Sequence, residues 1–234
     1  RRYSAMRDLR LLPSVTLVEA DVNQPGVIER LCADVKPHGA VINLVGILQD
    51  QVAKPYGPGF KRVHVDLPQV IIEAMKAKQL RRYLHMSALG ADSNGPSMYQ
   101  RSKGDGENRV RASGLDWTIF RPSVIFGEHD QFINTFANLA KVFPVIPLAY
   151  SHAQFQPVSV KDVASAFVIA LTHPSTIHQT YDLVGPEVLT MKQLVEFAAR
   201  KAGRDRLIIS LPNWVGYLQA LAFEFGPGPT LMSR

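Results

Sequence analysis

Tyr99 and Lys103 stand four residues apart in SMYQRSKGDGENRV (97–110), just after a Gly/Pro/Ser-rich break. On a helix, that spacing turns a phenol and an ammonium toward one side. A free phenol has a pKa of about 10 and exchanges its proton poorly near neutrality; an adjacent cation stabilises the phenolate and brings it toward a working pH. The pair reads either as a proton-exchanging couple facing a pocket or as two side chains on a solvated helical face. Spacing alone does not separate these readings.

The surrounding pattern names the elements that must position the pair. VTLVEADV (15–22) and AVINLVGI (40–47) are short, nearly continuous apolar runs rich in β-branched residues, with the helical QPGVIERLCADV (24–35) between them, which predicts a β-α-β unit. HVDLPQVIIEAMKAKQ (64–79) carries apolar residues at helical spacing, RYLHMSALG (82–90) is a strand ending in small residues, and GLDWTIFRPSVIFG (114–127) is a further strand. Strands alternating with helices, apolar on both faces, predict a doubly wound parallel α/β sheet. Beyond Gly127 a Pro-punctuated connection (142–160) leads to a helix near 161–172, a short strand YDLVG (181–185) and a helix near 190–202. Residues 1–127 are therefore expected to form the core, and 128–234 a smaller C-terminal substrate or partner lobe partly interleaved with it.

Composition bounds the function. The chain has 234 residues, 46% hydrophobic and 20% charged, with one cysteine, so no intramolecular disulfide and no four-cysteine zinc site can form. The net charge is +6, but the basic residues lie in scattered groups without aromatic interleaving. That pattern suits an anionic cofactor or a membrane surface better than a nucleic acid, and no nucleic-acid partner is expected. There is no signal-peptide pattern and no apolar run near the roughly 18 residues of a membrane helix, so no span is expected and the compartment is read as cytoplasm or an organelle matrix. The seven histidines show no ligand spacing with acidic or cysteine partners, and no metal site is expected.

In order and spacing, YQRSK (99–103), SALG (87–90), RPSVIFG (121–127), PVSVKDVA (157–164) and YDLVGP (181–186) resemble the extended and atypical short-chain dehydrogenase/reductases, over nearly the whole chain. Within that superfamily, MSALGAD, SMYQRSKGDGE and RPSVIFGEHDQFINTFA are most similar to the branch of NAD(P)H-binding accessory subunits of respiratory complex I and their bacterial relatives. The resemblance implies a Rossmann-type fold and a nicotinamide dinucleotide. It gives Tyr99 the role of general acid/base in carbonyl–alcohol interconversion, and Lys103 that of holding the nicotinamide ribose. It also implies an adenine contact at Asp21 and Val22, a turn against the adenosine ribose at Leu44, Val45 and Gly46, and a nicotinamide wall at Pro122, Ser123 and Val124.

Two departures weaken the catalytic pattern. The family's Ser or Thr is expected one or two residues beyond the strand's first serine, where this chain has Ala88 and Leu89; Ser87 either substitutes as a catalytic residue or only bonds at the strand end. The Gly-rich turn that receives the pyrophosphate is absent, since YGPGF (56–60) has the wrong spacing, so the resemblance implies that the first βα unit lies upstream of Arg1. Arg1 and Arg2 then stand where a second-strand acid would select NAD. Guanidinium there suits a 2′-phosphate, giving NADP(H) as the preferred cofactor with NAD(H) possible, or else the two are an ordinary charged terminus.

Gly104 and Gly106 each cost about 1 kcal/mol in a helix interior and imply either close packing against the neighbouring strand or a frayed helix. Glu107 is read as pairing with Lys103 or as a plain surface residue. In the tail 211–229, Trp214, Val215, Leu218, Leu221, Ala222 and Phe225 fall at helical spacing; such a stripe is either core or a docking surface for a membrane protein or bilayer. Three functions compete: a cofactor-holding protein of the complex I accessory or assembly type or of quinone metabolism, peripheral to a membrane such as the mitochondrial inner membrane on its matrix side; an active NAD(P)-dependent reductase, epimerase or dehydratase; and a nucleotide-sensing regulator.

Overall fold

The structure, a computed structural model, describes residues 8–128 and 130–212. Its centre is a parallel sheet of β1 (Ala40–Asn43), β2 (Arg82–Met86), β3 (Asp116–Pro122) and β8 (Gln179–Leu183), in that order. The alternation of side chains along each strand explains the continuous apolar runs, because both faces are covered. Tyr83, Trp117 and Ile119 point to one face and pack with Leu67, Ile71 and Met75 of α3 (Leu67–Ala77) and Val110 of α4 (Met98–Arg111). Leu84 and Phe120 point to the other and pack with Val163, Phe167 and Ala170 of α6 (Val160–Thr172). On the first face α1 (Val27–Ala33) adds Ile28 and Cys32.

A second, smaller core lies beyond β3. There α5 (Phe132–Val142) and α7 (Met191–Lys201) cover a parallel pair, β5 (Val145–Leu148) and β10 (Leu207–Ser210), around Ile146, Leu148, Val195 and Ile208. Short pairings, β4 (Ile125–Phe126) with β7 (Val158–Ser159) and β6 (Gln154–Phe155) with β9 (Leu189–Thr190), join the two regions.

Where the expected elements differ, the differences are local. Residues 15–22 are not a strand: the described ladder has β1 at its edge, and Val15 and Val18 stand exposed. A β-branched run reports fitness for a buried pleated surface, not a neighbour that supplies one. The run 40–47 is a strand only to Asn43, and 114–127 splits into β3 and β4 around Ser123 and Val124. The helix expected from 64 begins earlier, as a short turn α2 (Pro58–Phe60) and a π-helical turn Lys61–Asp66 that runs into α3. The apolar stripe from Trp214 to Phe225 and the pair Arg1 and Arg2 lie outside the described residues.

Candidate dinucleotide site

Four parallel strands end along one edge, so the segments after Asn43, Met86, Pro122 and Leu183 share it. Tyr99 reaches that edge because α4 starts where it does. Ser97 caps the helix: its hydroxyl accepts from Gln100 N–H (3.1 Å) while the Gln100 side chain accepts from Ser97 N–H (3.2 Å), a reciprocal pairing that fixes Tyr99 in the first turn.

Gly104 and Gly106 then let α4 lie against backbone. A β-carbon at Gly104 would run into the Asp92–Ser93 backbone, and one at Gly106 into the carbonyl of His64. Close packing is thus the reason for both, but against a loop and the π-helical turn, not against a strand. One turn on, Glu107 corrects its own expectation. Its carboxylate is fully buried and accepts from Arg121 Nε (2.8 Å) and Nη2 (2.6 Å) and from Arg111 Nη2 (2.7 Å), with no bond to Lys103. The pair with Arg121 pins α4 to the end of β3, one residue before Pro122.

Lys103 is 5% exposed, and its ammonium donates to Met86 C=O at 3.3 Å, its sole hydrogen bond among the described residues. An ammonium has three donors, so two remain free on this count. Burial draws its pKa down to about 8, against a smaller opposing pull from Glu107. Gly46 lies over it: a β-carbon there would stand 3.3 Å from Nζ and 3.8 Å from His64 Nε2. Leu44 and Val45, on the same loop, are exposed.

Tyr99 is half-buried, its ring edge-on to His64 (5.6 Å between centroids) and to Phe60 (6.1 Å). Lys103 Nζ sits 5.9 Å from the Tyr99 ring centre. Burial pushes the phenol up to about 12, and Lys103 does not lower it, contrary to the sequence expectation. At this separation the cost of taking a phenolate out of water outweighs the field of a single amine.

Ser87, at the end of β2, has a buried hydroxyl with no hydrogen-bond partner among the described residues. Its neighbourhood adjoins the proposed nicotinamide wall: Ser87 N–H donates to Phe120 C=O (2.7 Å) and Leu89 N–H to Pro122 C=O (3.0 Å). Ser123 N–H donates to Leu183 C=O, and Val124 C=O accepts from Val158 N–H. Asp21 is exposed, and its carboxylate accepts from Asn23 N–H and from Asn23 Nδ2, each at 3.0 Å, which holds it below the usual range; Val22 packs on the main core. Neither joins the cluster of Gly46, Tyr99 and Lys103.

His64 and Ser102 gave no signal in the sequence. His64 accepts from Ile47 N–H at Nε2 (3.2 Å) and lies 2.9 Å from Ser102 Oγ at Nδ1; Ser102 Oγ donates to Tyr99 C=O (2.9 Å). Burial and the nearby Lys103 take His64 down to about 3, so it is neutral. Asn43 accepts from Val45 N–H (3.1 Å) and shares a buried polar cluster with Tyr83 and His85. The contacts of His64 with Ile47 and Ser102 span 17 and 38 positions, and those of Asn43 with Tyr83 and His85 span 40 and 42, beyond any local periodicity.

The NAD(P)H-binding family matches residues 1–174. Subunit 9 of the NADH dehydrogenase [ubiquinone] 1 alpha subcomplex, mitochondrial, from Mus musculus is 31% identical over 94% of the chain, and the chain covers 57% of that protein. Ceramide reductase of Caulobacter vibrioides is 27% identical over 85% of the chain, which covers 60% of it. The chain thus spans little more than half the length of these relatives. Among solved structures, dTDP-glucose 4,6-dehydratase (DesIV) of Streptomyces venezuelae, with NAD bound, superposes with a TM-score of 0.76 at 16% identity, covering 91% of this chain and 71% of that one. The chain belongs to the NAD(P)H-binding family, with the Rossmann-type fold of the extended short-chain dehydrogenase/reductases.

Proposed function

We propose that this member of the NAD(P)H-binding family holds a nicotinamide dinucleotide without turning it over, as a subunit or assembly component peripheral to a membrane complex. The observation that supports this most is Lys103: a buried ammonium with two donors unbonded among the described residues, beneath Gly46, where a β-carbon would crowd it at 3.3 Å. Lys103 would donate to the nicotinamide ribose, Gly46 with Leu44 and Val45 would lie along the adenosine ribose, and Pro122, Ser123 and Val124 would wall the nicotinamide. Asp21 and Val22 would meet the adenine. Tyr99, held protonated and without a relay through Lys103, would pack beside the ring.

The partner and compartment rest on kinship. The mouse relative is named as a mitochondrial NADH dehydrogenase subunit. Among the described residues, no helix is long and apolar enough to cross a membrane. The apolar stripe from Trp214 to Phe225 is proposed as the docking element.

Cofactor choice is tested by calorimetric titration with NADPH and NADH. Arg1 and Arg2 are proposed to neutralise the 2′-phosphate, so NADPH is expected to bind more tightly, with the margin lost in the Arg1→Ala/Arg2→Ala double variant. Equal affinities in both proteins would remove the arginine argument; no heat with either dinucleotide would remove the whole reading.

One observation favours an active enzyme instead. The Ser87 hydroxyl, unpartnered among the described residues, is the kind of buried group that a substrate oxygen satisfies. In that reading a bound nicotinamide supplies hydride, Tyr99 carries the proton, and the chain is a reductase, epimerase or dehydratase; a reductase is also the name of the Caulobacter relative.

A further inference from the structure

The loop Leu44–Ile47 leaves β1 and is held at two points. Asn43, on the same strand, accepts from Val45 N–H (3.1 Å), a local bond that fixes only the first turn of the loop. The second hold comes from elsewhere: His64, on the π-helical turn, accepts from Ile47 N–H at Nε2 (3.2 Å). Its other ring nitrogen stands 2.9 Å from Ser102 Oγ, which spends its own proton on Tyr99 C=O (2.9 Å). Ser102 must therefore accept from Nδ1–H, and this is the tautomer that leaves Nε2 free to accept from Ile47. Each donor in the chain has one acceptor, so the arrangement is fully assigned.

The packing keeps the imidazole in that register. Phe60 stacks on it (5.2 Å, planes 23° apart) and Tyr99 meets it edge-on, while the Gly106 position admits the His64 carbonyl against α4. A π-helical turn inserts one residue into the helical register and often marks a functional position. Here it turns His64 toward two elements at once.

We infer that His64 is a positioning residue that sets the loop carrying Gly46 against the helix carrying Tyr99 and Lys103, so that the two halves of a dinucleotide contact are held at one spacing. The inference rests on the reading that these residues face a dinucleotide. Neither Asn43 nor the Ser97 cap can replace it, because Asn43 bonds the loop and the neighbouring strand β2, and Ser97 bonds only the first turn of α4.

The test uses the full chain and NADPH titrations on three variants. His64→Phe keeps the ring between Phe60 and Tyr99 but loses both hydrogen bonds. His64→Gln restores one acceptor and one donor on a single amide. Ser102→Ala cuts the link on the helix side only. His64→Phe is expected to weaken NADPH about 10-fold and Ser102→Ala about 3-fold, with thermal midpoints within a few degrees of the parent, while His64→Gln stays within about 2-fold of it. The Ile47 amide should exchange its hydrogen faster in His64→Phe than in the parent. Parent-like affinity in His64→Phe, or, where that variant does not fold, in Ser102→Ala, would overturn the inference and leave the dinucleotide reading intact. Absence of binding by the parent itself would overturn the dinucleotide reading, and the inference with it.

Discussion

Lys103→Met is expected to weaken NADPH binding roughly 10- to 150-fold, the equivalent of one charged hydrogen bond of about 1.5–3 kcal/mol. Methionine keeps the buried stem packed and removes only the ammonium. The same change is expected to make the protein more stable. Lys103 has its pKa drawn from 10.5 down to about 8 by burial, so between those values the unfolded chain binds more protons than the folded one. Stability of the parent should accordingly rise as the pH climbs from about 8 toward 10.5, and the penalty is fully present below that window. Methionine has no proton to bind, and the rise should vanish. Denaturant midpoints measured at pH 7, 8, 9 and 10 on both proteins check it. Unchanged affinity together with lower stability would mean that Lys103 is a structural residue.

Glu107→Ala is expected to cost about 3 kcal/mol of folding stability. Breaking a buried ion pair by removing one partner costs about 3–5 kcal/mol, and the lower end applies because Arg121 and Arg111 keep some exposure, 25% and 36% of their side chains. A loss of that size is a large share of the roughly 5–15 kcal/mol that keeps a domain folded. Glu107→Gln, which retains two acceptor lone pairs but no charge, should fall between the parent and alanine. Urea unfolding measures all three, and a cost below about 1 kcal/mol for alanine would show that the arginines find other partners. Because Arg121 precedes Pro122, the same variant should also loosen the wall assigned to the nicotinamide.

The parts of the fold that were legible in the sequence are those where composition and neighbour agree. The runs 40–47, 82–90 and 114–127 read as buried strands because each carries apolar side chains on both faces, and the parts that form strands, AVIN, RYLHM and DWTIFRP, each have a strand on at least one side to pair with. VTLVEADV carries the same signal without entering the described ladder, and composition cannot tell the two situations apart. Tyr99 and Lys103 were visible because they are four residues apart on one helix. Asp21 and Val22 were assigned by likeness alone, and they do not join the cluster around Lys103.

What escaped the sequence were contacts between distant segments. Glu107 was read as a partner of Lys103 or a plain surface acid, and instead meets Arg121, fourteen residues away on another element, inside the protein. His64 was one of seven histidines without a ligand pattern, and its meaning depends on Ile47 and Ser102 together. The phenol of Tyr99 shows the same limit in its electrostatics. Proximity to a lysine suggested a lowered pKa, but burial is a property of the whole fold and raises it.

Tyr99 therefore gives the most direct test of whether the protein holds its cofactor or uses it. Phenylalanine at this position keeps the ring against His64 and Phe60 and removes only the hydroxyl. The measurement is complementation of a strain lacking the gene by Tyr99→Phe, with the variant's folding and NADPH affinity confirmed. A holder predicts full complementation and affinity within about 2-fold of the parent. An enzyme that moves its proton through this phenol would lose roughly 10²–10⁴-fold in turnover. A folded Tyr99→Phe protein that binds NADPH normally and fails to complement would contradict the account and make Tyr99 a catalytic acid/base.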